Sequence, residues 1–200
     1  MACPMTVESA TAALALLEAG NARFAAGIPE IGRLDASRLE LAGGQSPYAV
    51  VLGCSDSRVP IETIFDQTPG KLFVVRVAGN YLTDDVFGSV EFGVAILKAR
   101  LILVLGHTNC GAVTAAVAHA KDGTTQPGHI ACLVTAVAPA AKATRDLPGD
   151  WLANATAENV RRTVRAMTAG STIIADAVAR GDAEVAGGIY ELHTGRVSFL

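Results

Sequence analysis

Residues 101–111 read LILVLGHTNCG, an unbroken apolar run that ends in glycine and is followed by a histidine and, three residues later, a cysteine. Such a run, with no polar side chain, is typical of a strand that is buried on both faces, as in a parallel sheet. Residues 48–54, YAVVLGC, follow the same pattern. The two stretches therefore predict buried strands that each deliver a metal-binding side chain. Gly53, Gly106 and Gly111 are expected to let the backbone approach a bound metal closely.

The segments around these two strands alternate between helical and extended patterns. The remaining predicted strands are residues 71–79, 184–192 and 195–200. Helices are predicted over residues 13–26, 86–99, 129–145, 154–167 and 171–181, and from about residue 111 onward. This alternation favours an α/β fold with a largely parallel central β-sheet flanked by helices. The 200 residues of the chain suit a single domain, with an N-terminal helical arm and loop (1–45) before an α/β core (46–200).

The first helix is predicted from the signals at its two ends. Thr6 can cap its beginning, and Gly27 can end it. Its candidate buried side chains are those of Leu14, Leu17 and Phe24. A long polar loop separates this helix from the first strand, so the helix is expected to be an arm that packs on a second copy of the chain.

Cys54, His107 and Cys110 supply two thiolates and an imidazole, which are ligands suited to zinc. In open parallel sheets, ligands bind beyond the carboxyl ends of the strands, and Cys54 and His107 each directly follow a predicted strand. A structural zinc site usually has four cysteine or histidine ligands, whereas three leave one position open for water. The sequence therefore predicts a catalytic site with one zinc ion per chain.

A carboxylate and a guanidinium lie close to the first cysteine, at Asp56 and Arg58. Asp56 is near enough to accept a hydrogen bond from water on the metal, and Arg58 can hold the carboxylate in orientation. In that state both residues are catalytic. Asp56 could instead turn inward and become the fourth metal ligand in a closed state. The residues alone leave both states open.

Composition limits the partners and the location of the protein. A net charge of −3 provides no basic surface for nucleic acid, and the apolar stretch from Thr11 to Leu17 is too short to span a membrane. With 50% hydrophobic residues and a mean hydropathy of +0.37, part of the apolar excess is expected in a subunit interface. No basic leader is evident, so the cytoplasm is the expected location. There Cys3 and Cys132 would remain thiols, and Cys132 is expected to be buried.

The motifs CSDSRVP, from Cys54, and HTNCGAV, from His107, resemble the zinc signature of the β-class carbonic anhydrases. That signature is C-x-D-x-R followed some fifty residues later by H-x-x-C. The resemblance extends to LEAGNARFAAG near the start, to the run from Gln45 to Val117, and to the closing GGIYELHTGRVSFL. It implies zinc, reversible hydration of carbon dioxide to bicarbonate and a proton by zinc-hydroxide attack, and a homodimer or higher homo-oligomer. It also supports both states of Asp56, the first active and the second closed.

The same resemblance assigns four residues to the substrate pocket. Gln45 lies nine residues before the first zinc cysteine, where the family places an amide that hydrogen-bonds bicarbonate. Phe73, Ala78 and Phe92 fall where relatives place the apolar wall of the carbon dioxide pocket, partly across the dimer interface. From the sequence alone, each of these three would be assigned to the core.

The resemblance does not extend to a second, regulatory bicarbonate pocket. Members that have this pocket carry a tryptophan three residues before the first zinc cysteine, where this chain has Val51. Arg76 does occupy a position at which such a pocket would need an arginine. The sequence therefore argues against this pocket and leaves Arg76 without a predicted role.

Three functions remain compatible with the sequence. The first is a carbonic anhydrase. The second is a hydrolase of carbonyl sulfide or carbon disulfide, because such enzymes are similar in fold, zinc ligands and Asp-Arg pair. The third is a non-enzymatic interaction domain stabilised by zinc. The open fourth position and the Asp-Arg pair argue against the third, because a purely structural zinc site needs neither.

Overall fold

The structure, a computed structural model, describes residues 7–30, 39 and 41–200. Within these residues the elements are, in chain order, α1 (Ala10–Ala25), β1 (Ala49–Gly53), α2 (Ile61–Ile64), β2 (Leu72–Arg76), α3 (Asp84–Glu91) with a π-helical continuation (Phe92–Ile96), β3 (Leu101–His107), α4 (Gly111–Asp122), α5 (Ile130–Ala143), α6 (Trp151–Ala169), α7 (Thr172–Ala179), β4 (Glu184–Tyr190) and β5 (Val197–Phe199). None of the described helices is both long enough and apolar enough to span a bilayer.

The five strands form one sheet in the order β2-β1-β3-β4-β5. The strands β2, β1, β3 and β4 run parallel, and β5 adds an antiparallel strand at one edge. Both β1 and β3 are buried along their whole lengths. This burial explains why their sequences show no alternation of apolar and polar residues. The predicted α/β class, with a largely parallel central sheet flanked by helices, is confirmed.

Helices cover both faces of the sheet, and the side chains of β1 alternate between the two resulting cores. On one face Val51 packs in a cluster with Leu17 of α1 and Ile64 of α2. On the other face Val50 packs in a cluster formed by α3, α6 and α7, which includes Val90. A third apolar cluster, formed mainly by α4 and α5, lies beyond the carboxyl ends of the strands. That end of the sheet is the one at which ligands bind in open parallel folds.

The first helix begins at Ala10, and the Ser9 side chain caps it by accepting a hydrogen bond from the backbone N–H of Ala12. The predicted cap, Thr6, lies outside the described residues. Leu17 is fully buried, and Phe24 is partly buried against the same core cluster. This face of α1 is therefore buried in its own chain, and the expected packing of the helix on a second copy stays a prediction.

Cys132 in α5 is exposed, although its apolar neighbours predicted burial. The buried stripe of this helix runs through Val134, Val137 and Ala141, at the spacing of one helical face. Cys132 lies off that stripe, because two residues correspond to more than half a helical turn. The other cysteine without a predicted role, Cys3, lies outside the described residues.

Candidate metal centre

Three elements meet at the carboxyl edge of the sheet, and each carries one predicted metal ligand. Cys54 directly follows β1, and Cys110 immediately precedes α4. His107 is the last residue of β3, inside the strand rather than after it. Because β1 and β3 are neighbours, with Gly53 opposite Leu105, their ends bring the three side chains together.

The donor set and its geometry fit zinc. The ligand atoms of Cys54, His107 and Cys110 all lie within 4.8 Å of one another, and the two sulfurs are 3.9 Å apart. Two sulfurs that each lie about 2.3 Å from a tetrahedral zinc would be separated by about 3.8 Å. All three side chains are buried, with exposed fractions of 4%, 0% and 1% in chain order. The cluster is therefore enclosed and has the dimensions of a zinc site.

His107 presents an unprotonated ring nitrogen to this cluster. Its Nδ1 lies 2.9 Å from the carbonyl oxygen of Thr108. A carbonyl can only accept a hydrogen bond, so Nδ1 carries a proton, and in the neutral imidazole Nε2 then keeps its lone pair. Within the described residues, Nε2 is buried and has no hydrogen-bond partner. A buried acceptor of this kind is satisfied by a bound cation, and a backbone carbonyl on the other nitrogen is a usual partner of metal-binding histidines.

The two cysteine thiols are electrostatically coupled. The contact with Cys110 lowers the pKa of Cys54 against the opposing effect of burial, and the backbone N–H of Gly79 lowers it further. The same contact, together with burial, raises the pKa of Cys110. Ionisation of one thiol thus disfavours loss of the proton from the other. A divalent cation would displace this proton, because it favours both thiolates.

Asp56 and Arg58 form a tightly bonded pair beside these ligands. Arg58 donates from Nε to Oδ1 of Asp56 at 2.9 Å and from Nη2 to Oδ2 at 2.7 Å. Its backbone N–H also donates to Oδ1 at 2.9 Å. These bonds hold the pKa of Asp56 well below its usual range, so the carboxylate is ionised at neutral pH. Oδ2 lies 3.9 Å from Nε2 of His107, so the ionised oxygen points toward the ligand cluster.

Arg76 fixes the loop that carries Cys54 and Asp56, a role that the sequence did not predict. Its Nε donates to the carbonyl of Cys54 at 2.9 Å, and its Nη2 donates to the carbonyl of Asp56 at 2.6 Å. Arg76 is the last residue of β2 and lies opposite Gly53 of β1. The sequence does carry a signal for this role. It is an arginine at the end of an apolar strand, β2, that neighbours the strand before Cys54.

Asn159 of α6 supports the site from farther away. Its side chain is buried and donates from Nδ2 to the carbonyl of Gly79 at 2.9 Å. The backbone N–H of Gly79 in turn lies 3.4 Å from the Cys54 sulfur. The Asn159–Gly79 contact spans 80 positions of sequence. No local pattern in the sequence points to this asparagine.

The comparisons with known proteins agree with this site. A protein-family model described as carbonic anhydrase matches residues 49–197. Carbonic anhydrase 2 of Mycobacterium tuberculosis is 41% identical over 186 residues, which cover 92% of this chain and 90% of the relative. The chain belongs to the β-carbonic anhydrase family. The carbonic anhydrase of Mycolicibacterium smegmatis is similarly close, at 40% identity over 93% of this chain and 91% of the relative.

Solved structures of β-carbonic anhydrases share the fold of this family member. A tetrameric β-carbonic anhydrase from Sordaria macrospora has a TM-score of 0.73 at 27% identity and covers 82% of this chain and 85% of that chain. The Coccomyxa β-carbonic anhydrase in complex with acetazolamide has a TM-score of 0.72 at 33% identity, over 81% and 75%. The sheet and the surrounding helices are therefore those of the family.

In this β-carbonic anhydrase chain, two of the predicted substrate residues lie at opposite ends of β1. Ala78 is at the metal end, because it directly precedes Gly79, whose N–H contacts the Cys54 sulfur. Gln45 is exposed and lies before the first residue of β1, whereas Cys54 follows the last. A single chain therefore brings Ala78 close to the ligands and keeps Gln45 away from them.

The two predicted aromatic residues form a pair on the edge of the sheet. Phe73 in β2 lies opposite Val50, which is four residues, or about 13 Å of strand, before Cys54. The ring of Phe92 packs 6.0 Å from that of Phe73, and 47% of the Phe92 surface is exposed. The pair thus lies toward the amino-terminal end of the sheet, away from the metal ligands of its own chain.

Two of the three glycines near the ligands make room for neighbouring helices. A Cβ atom on Gly53 would lie 2.6 Å from Cδ1 of Ile61 in α2, and one on Gly106 would lie 2.6 Å from Cγ2 of Val160 in α6. A Cβ on Gly111 would meet nothing within 4 Å. Gly53 and Gly106 thus have a packing role, and the expected close approach of the backbone to a metal at the three glycines stays a prediction.

Proposed function

We propose that this chain catalyses the reversible hydration of carbon dioxide to bicarbonate and a proton at one zinc ion held by Cys54, His107 and Cys110. The observation that carries the proposal is the enclosed ligand cluster, in which all three donor atoms lie within 4.8 Å and the buried Nε2 has no partner in the described part of the chain. The reaction is supported by the relatives, which are carbonic anhydrases at 40% and 41% identity over more than nine-tenths of this chain.

Zinc bound at these residues would supply a Lewis acid that makes a water molecule nucleophilic near neutral pH. Asp56 would accept a hydrogen bond from the attacking water through Oδ2, the oxygen nearest to His107. Arg58 prevents the carboxylate from rotating, because it donates to both of its oxygens. The attacking oxygen would then keep a lone pair directed at carbon dioxide, which is the catalytic contribution of this pair.

Asp56 can also serve as the fourth metal ligand in a closed state, which is a separate proposal about the same residue. Its Oδ2 is 3.9 Å from Nε2 of His107, about half an ångström more than the separation of an oxygen and a nitrogen ligand on tetrahedral zinc. A small rotation of the carboxylate would cover that difference. Zinc-edge absorption spectroscopy of Asp56→Asn beside the unmodified protein would detect the closed state as a change in the light-atom ligand. Two sulfur ligands are expected in both proteins.

We propose that the active form is a homodimer or a higher homo-oligomer. The predicted substrate residues Gln45, Phe73 and Phe92 lie away from the metal ligands of their own chain, so a second copy would have to supply them. Phe92 is half-exposed and adjoins β2, which is the edge of the sheet. An exposed aromatic side chain at a sheet edge favours burial against another copy. The relative from Sordaria macrospora is a tetramer, which supports the same proposal.

The decisive experiment is a stopped-flow assay of carbon dioxide hydration, run beside an assay of sulfide release from carbonyl sulfide and carbon disulfide. We expect hydration activity to disappear when a chelator removes zinc and to return when one equivalent of zinc per chain is added. Sulfide release without hydration would replace the proposal with the sulfur-substrate hydrolase. A zinc-loaded protein inactive in both assays would instead indicate a zinc-stabilised interaction domain.

The cytoplasm remains the proposed location. The sulfurs of Cys54 and Cys110 lie 3.9 Å apart, and an oxidising compartment would favour a disulfide between them in competition with metal binding. A reducing compartment keeps both thiols available as ligands. Fractionation of cells that produce the natural protein, followed by immunoblotting, would test this location, and recovery outside the cytoplasmic fraction would contradict it.

A further inference from the structure

Thr108 lies between two of the metal ligands, His107 and Cys110, and its side chain is fully engaged. Its hydroxyl donates to Oε1 of Glu191 at 3.2 Å and accepts a hydrogen bond from the backbone N–H of Leu192 at 3.1 Å. These contacts join two segments of the chain separated by more than 80 positions. The hydroxyl thus connects the loop after β3 to the loop after β4.

The backbone of this loop holds the groups that do the chemistry. The carbonyl of Thr108 accepts the hydrogen bond from Nδ1 of His107, which leaves Nε2 free for a metal. The carbonyl of Asn109 accepts a hydrogen bond from Nη2 of Arg58 at 3.2 Å, and the same nitrogen binds Asp56. Asn109 adopts a left-handed backbone conformation, with φ at 54°. The orientations of the imidazole and of the Asp-Arg pair both depend on these two neighbouring carbonyls.

Glu191 anchors the loop from the far side. It immediately follows β4, whose last residue, Tyr190, pairs with His107 at the end of β3. Its Oε1 accepts hydrogen bonds from the Thr108 hydroxyl and from the backbone N–H of His193 at 2.9 Å. The backbone N–H of Thr108 also donates to the carbonyl of Tyr190 at 3.0 Å. Side-chain bonds therefore continue the β3–β4 pairing past the point where the strands end.

We propose that Thr108 and Glu191 are positioning residues for the metal centre. Their hydrogen bond fixes the loop so that the Thr108 carbonyl meets His107 and the Asn109 carbonyl meets Arg58. Within the described residues, the Glu191 side chain hydrogen-bonds neither a metal ligand nor Asp56, so it acts through Thr108. Partners of this kind set the tautomer and orientation of a metal-binding histidine, and their loss typically costs about 10–100-fold in metal affinity or activity. The inference rests on the proposed zinc site.

The test measures zinc affinity by competition between the purified protein and a chromophoric chelator. Thr108→Val removes the hydroxyl while nearly conserving shape, and it should weaken zinc binding by about 10-fold or more. Thr108→Ser keeps the hydroxyl and should restore the affinity to within about 3-fold of the unmodified protein, below the range of such losses. The visible absorption of the cobalt-substituted protein should change in Thr108→Val and match the unmodified protein in Thr108→Ser.

Ser171 offers a closely matched control. Its hydroxyl donates to Oε1 of Glu91 at 2.6 Å and accepts a hydrogen bond from the backbone N–H of Ile174 at 3.2 Å. The chemistry is thus the same as at Thr108, but the contact joins α7 to α3 and bonds no ligand-bearing loop. Ser171→Ala should lower thermal stability while leaving zinc affinity and the cobalt spectrum unchanged.

A double variant tests whether the two residues act together. If Glu191 acts through Thr108, Thr108→Val combined with Glu191→Leu should lose no more zinc affinity than Thr108→Val alone, because coupled residues are not additive. The inference would be overturned if Thr108→Val left zinc affinity and the cobalt spectrum unchanged. Additive losses of zinc affinity in the double variant, or a loss in Ser171→Ala equal to that in Thr108→Val, would also overturn it. An unmodified protein that binds no zinc would instead overturn the proposed function, and the inference with it.

Discussion

Asp56 accepts three hydrogen bonds from Arg58, two from the guanidinium and one from the backbone. The same guanidinium donates to the carbonyl of Asn109, which lies in the loop between two metal ligands. The carboxylate is therefore fixed relative to the ligand cluster and not merely near it. A fixed, ionised oxygen can select one orientation of a hydrogen-bonded water, which a freely rotating carboxylate could not do.

Asp56→Asn should leave zinc bound and reduce kcat for carbon dioxide hydration by about 100-fold or more, the scale of a lost positioned acid–base group. The amide keeps the size of the side chain but removes the charge and one acceptor oxygen. Stopped-flow kinetics with metal analysis of the same sample would measure both quantities. Asp122→Asn is the control, because Asp122 is an exposed aspartate bonded to Thr124 and should show unchanged kcat. Full activity in Asp56→Asn would exclude the proposed role.

Cys54→Ala should abolish stoichiometric zinc binding and lower thermal stability, because one ligand is lost and His107 keeps a buried nitrogen that has no partner among the described residues. Metal analysis after dialysis against a chelator would measure the zinc that remains. Cys132→Ala is the matched control, because Cys132 is an exposed free thiol in α5 and should leave one zinc per chain. One zinc per chain retained by Cys54→Ala would contradict the ligand assignment.

The ligands could be predicted from sequence because each lies in a short motif at the end of a recognisable strand or at the start of a helix. Thr108, Glu191 and Asn159 could not, since the side chain of each bonds a group at least 80 positions away in the chain. Such contacts leave no periodicity and no motif. Cys132 shows the opposite error, since apolar neighbours indicated burial while the helical phase placed it outside.

At the level of the elements, helix α6 packs against β3, the strand that carries His107. Val160 packs directly over Gly106, the residue before His107. The residue before Val160, Asn159, bonds the carbonyl of Gly79, whose N–H lies near the Cys54 sulfur. The strands and most helices were predicted because apolar runs and end signals are local. The π-helical turn after α3 was not, because it depends on tertiary packing against the sheet.

Gly106→Ala should lower the free energy of unfolding by about 1–3 kcal/mol, the usual cost of overpacking, because the new methyl would lie 2.6 Å from Val160. Val160→Ala should cost less in that background than in the unmodified protein, because it removes the clash. Chemical denaturation of the four proteins in this cycle would measure both effects. Gly111→Ala is the control: its methyl has open space at the start of α4, so stability should hold or rise by up to about 1 kcal/mol. Equal stability of Gly106→Ala and the unmodified protein would contradict the packing argument.

At the scale of the whole molecule, the metal ligands and three of the predicted substrate residues, Gln45, Phe73 and Phe92, lie toward opposite ends of the same sheet. One chain places Gln45 before β1 and Cys54 after it. A second copy that packs against the β2 edge would bring its own Gln45, Phe73 and Phe92 to the first copy's metal centre. Assembly and catalysis would then depend on the same surface.

Phe92→Glu should shift the protein toward the monomer and lower activity, because it introduces a charge into the proposed interface. Light scattering at low micromolar concentration would measure the mass, with the unmodified protein at a dimer or more. Leu147→Glu is the matched control, because Leu147 is 53% exposed, compared with 47% for Phe92, and lies in the α5–α6 loop. An active monomer in the unmodified protein, or an unchanged mass in Phe92→Glu, would contradict the oligomer proposal.

The continuous burial of β1 and β3 also bears on how the two strands find their alignment. Both faces of both strands are apolar, so a slide by two residues would keep every side chain on its original face and still bury an apolar surface. The same slide would move Cys54 by about 6.6 Å relative to His107, beyond the reach of a shared zinc ion. A zinc ion held by all three ligands would therefore be compatible with only one alignment of β1 and β3.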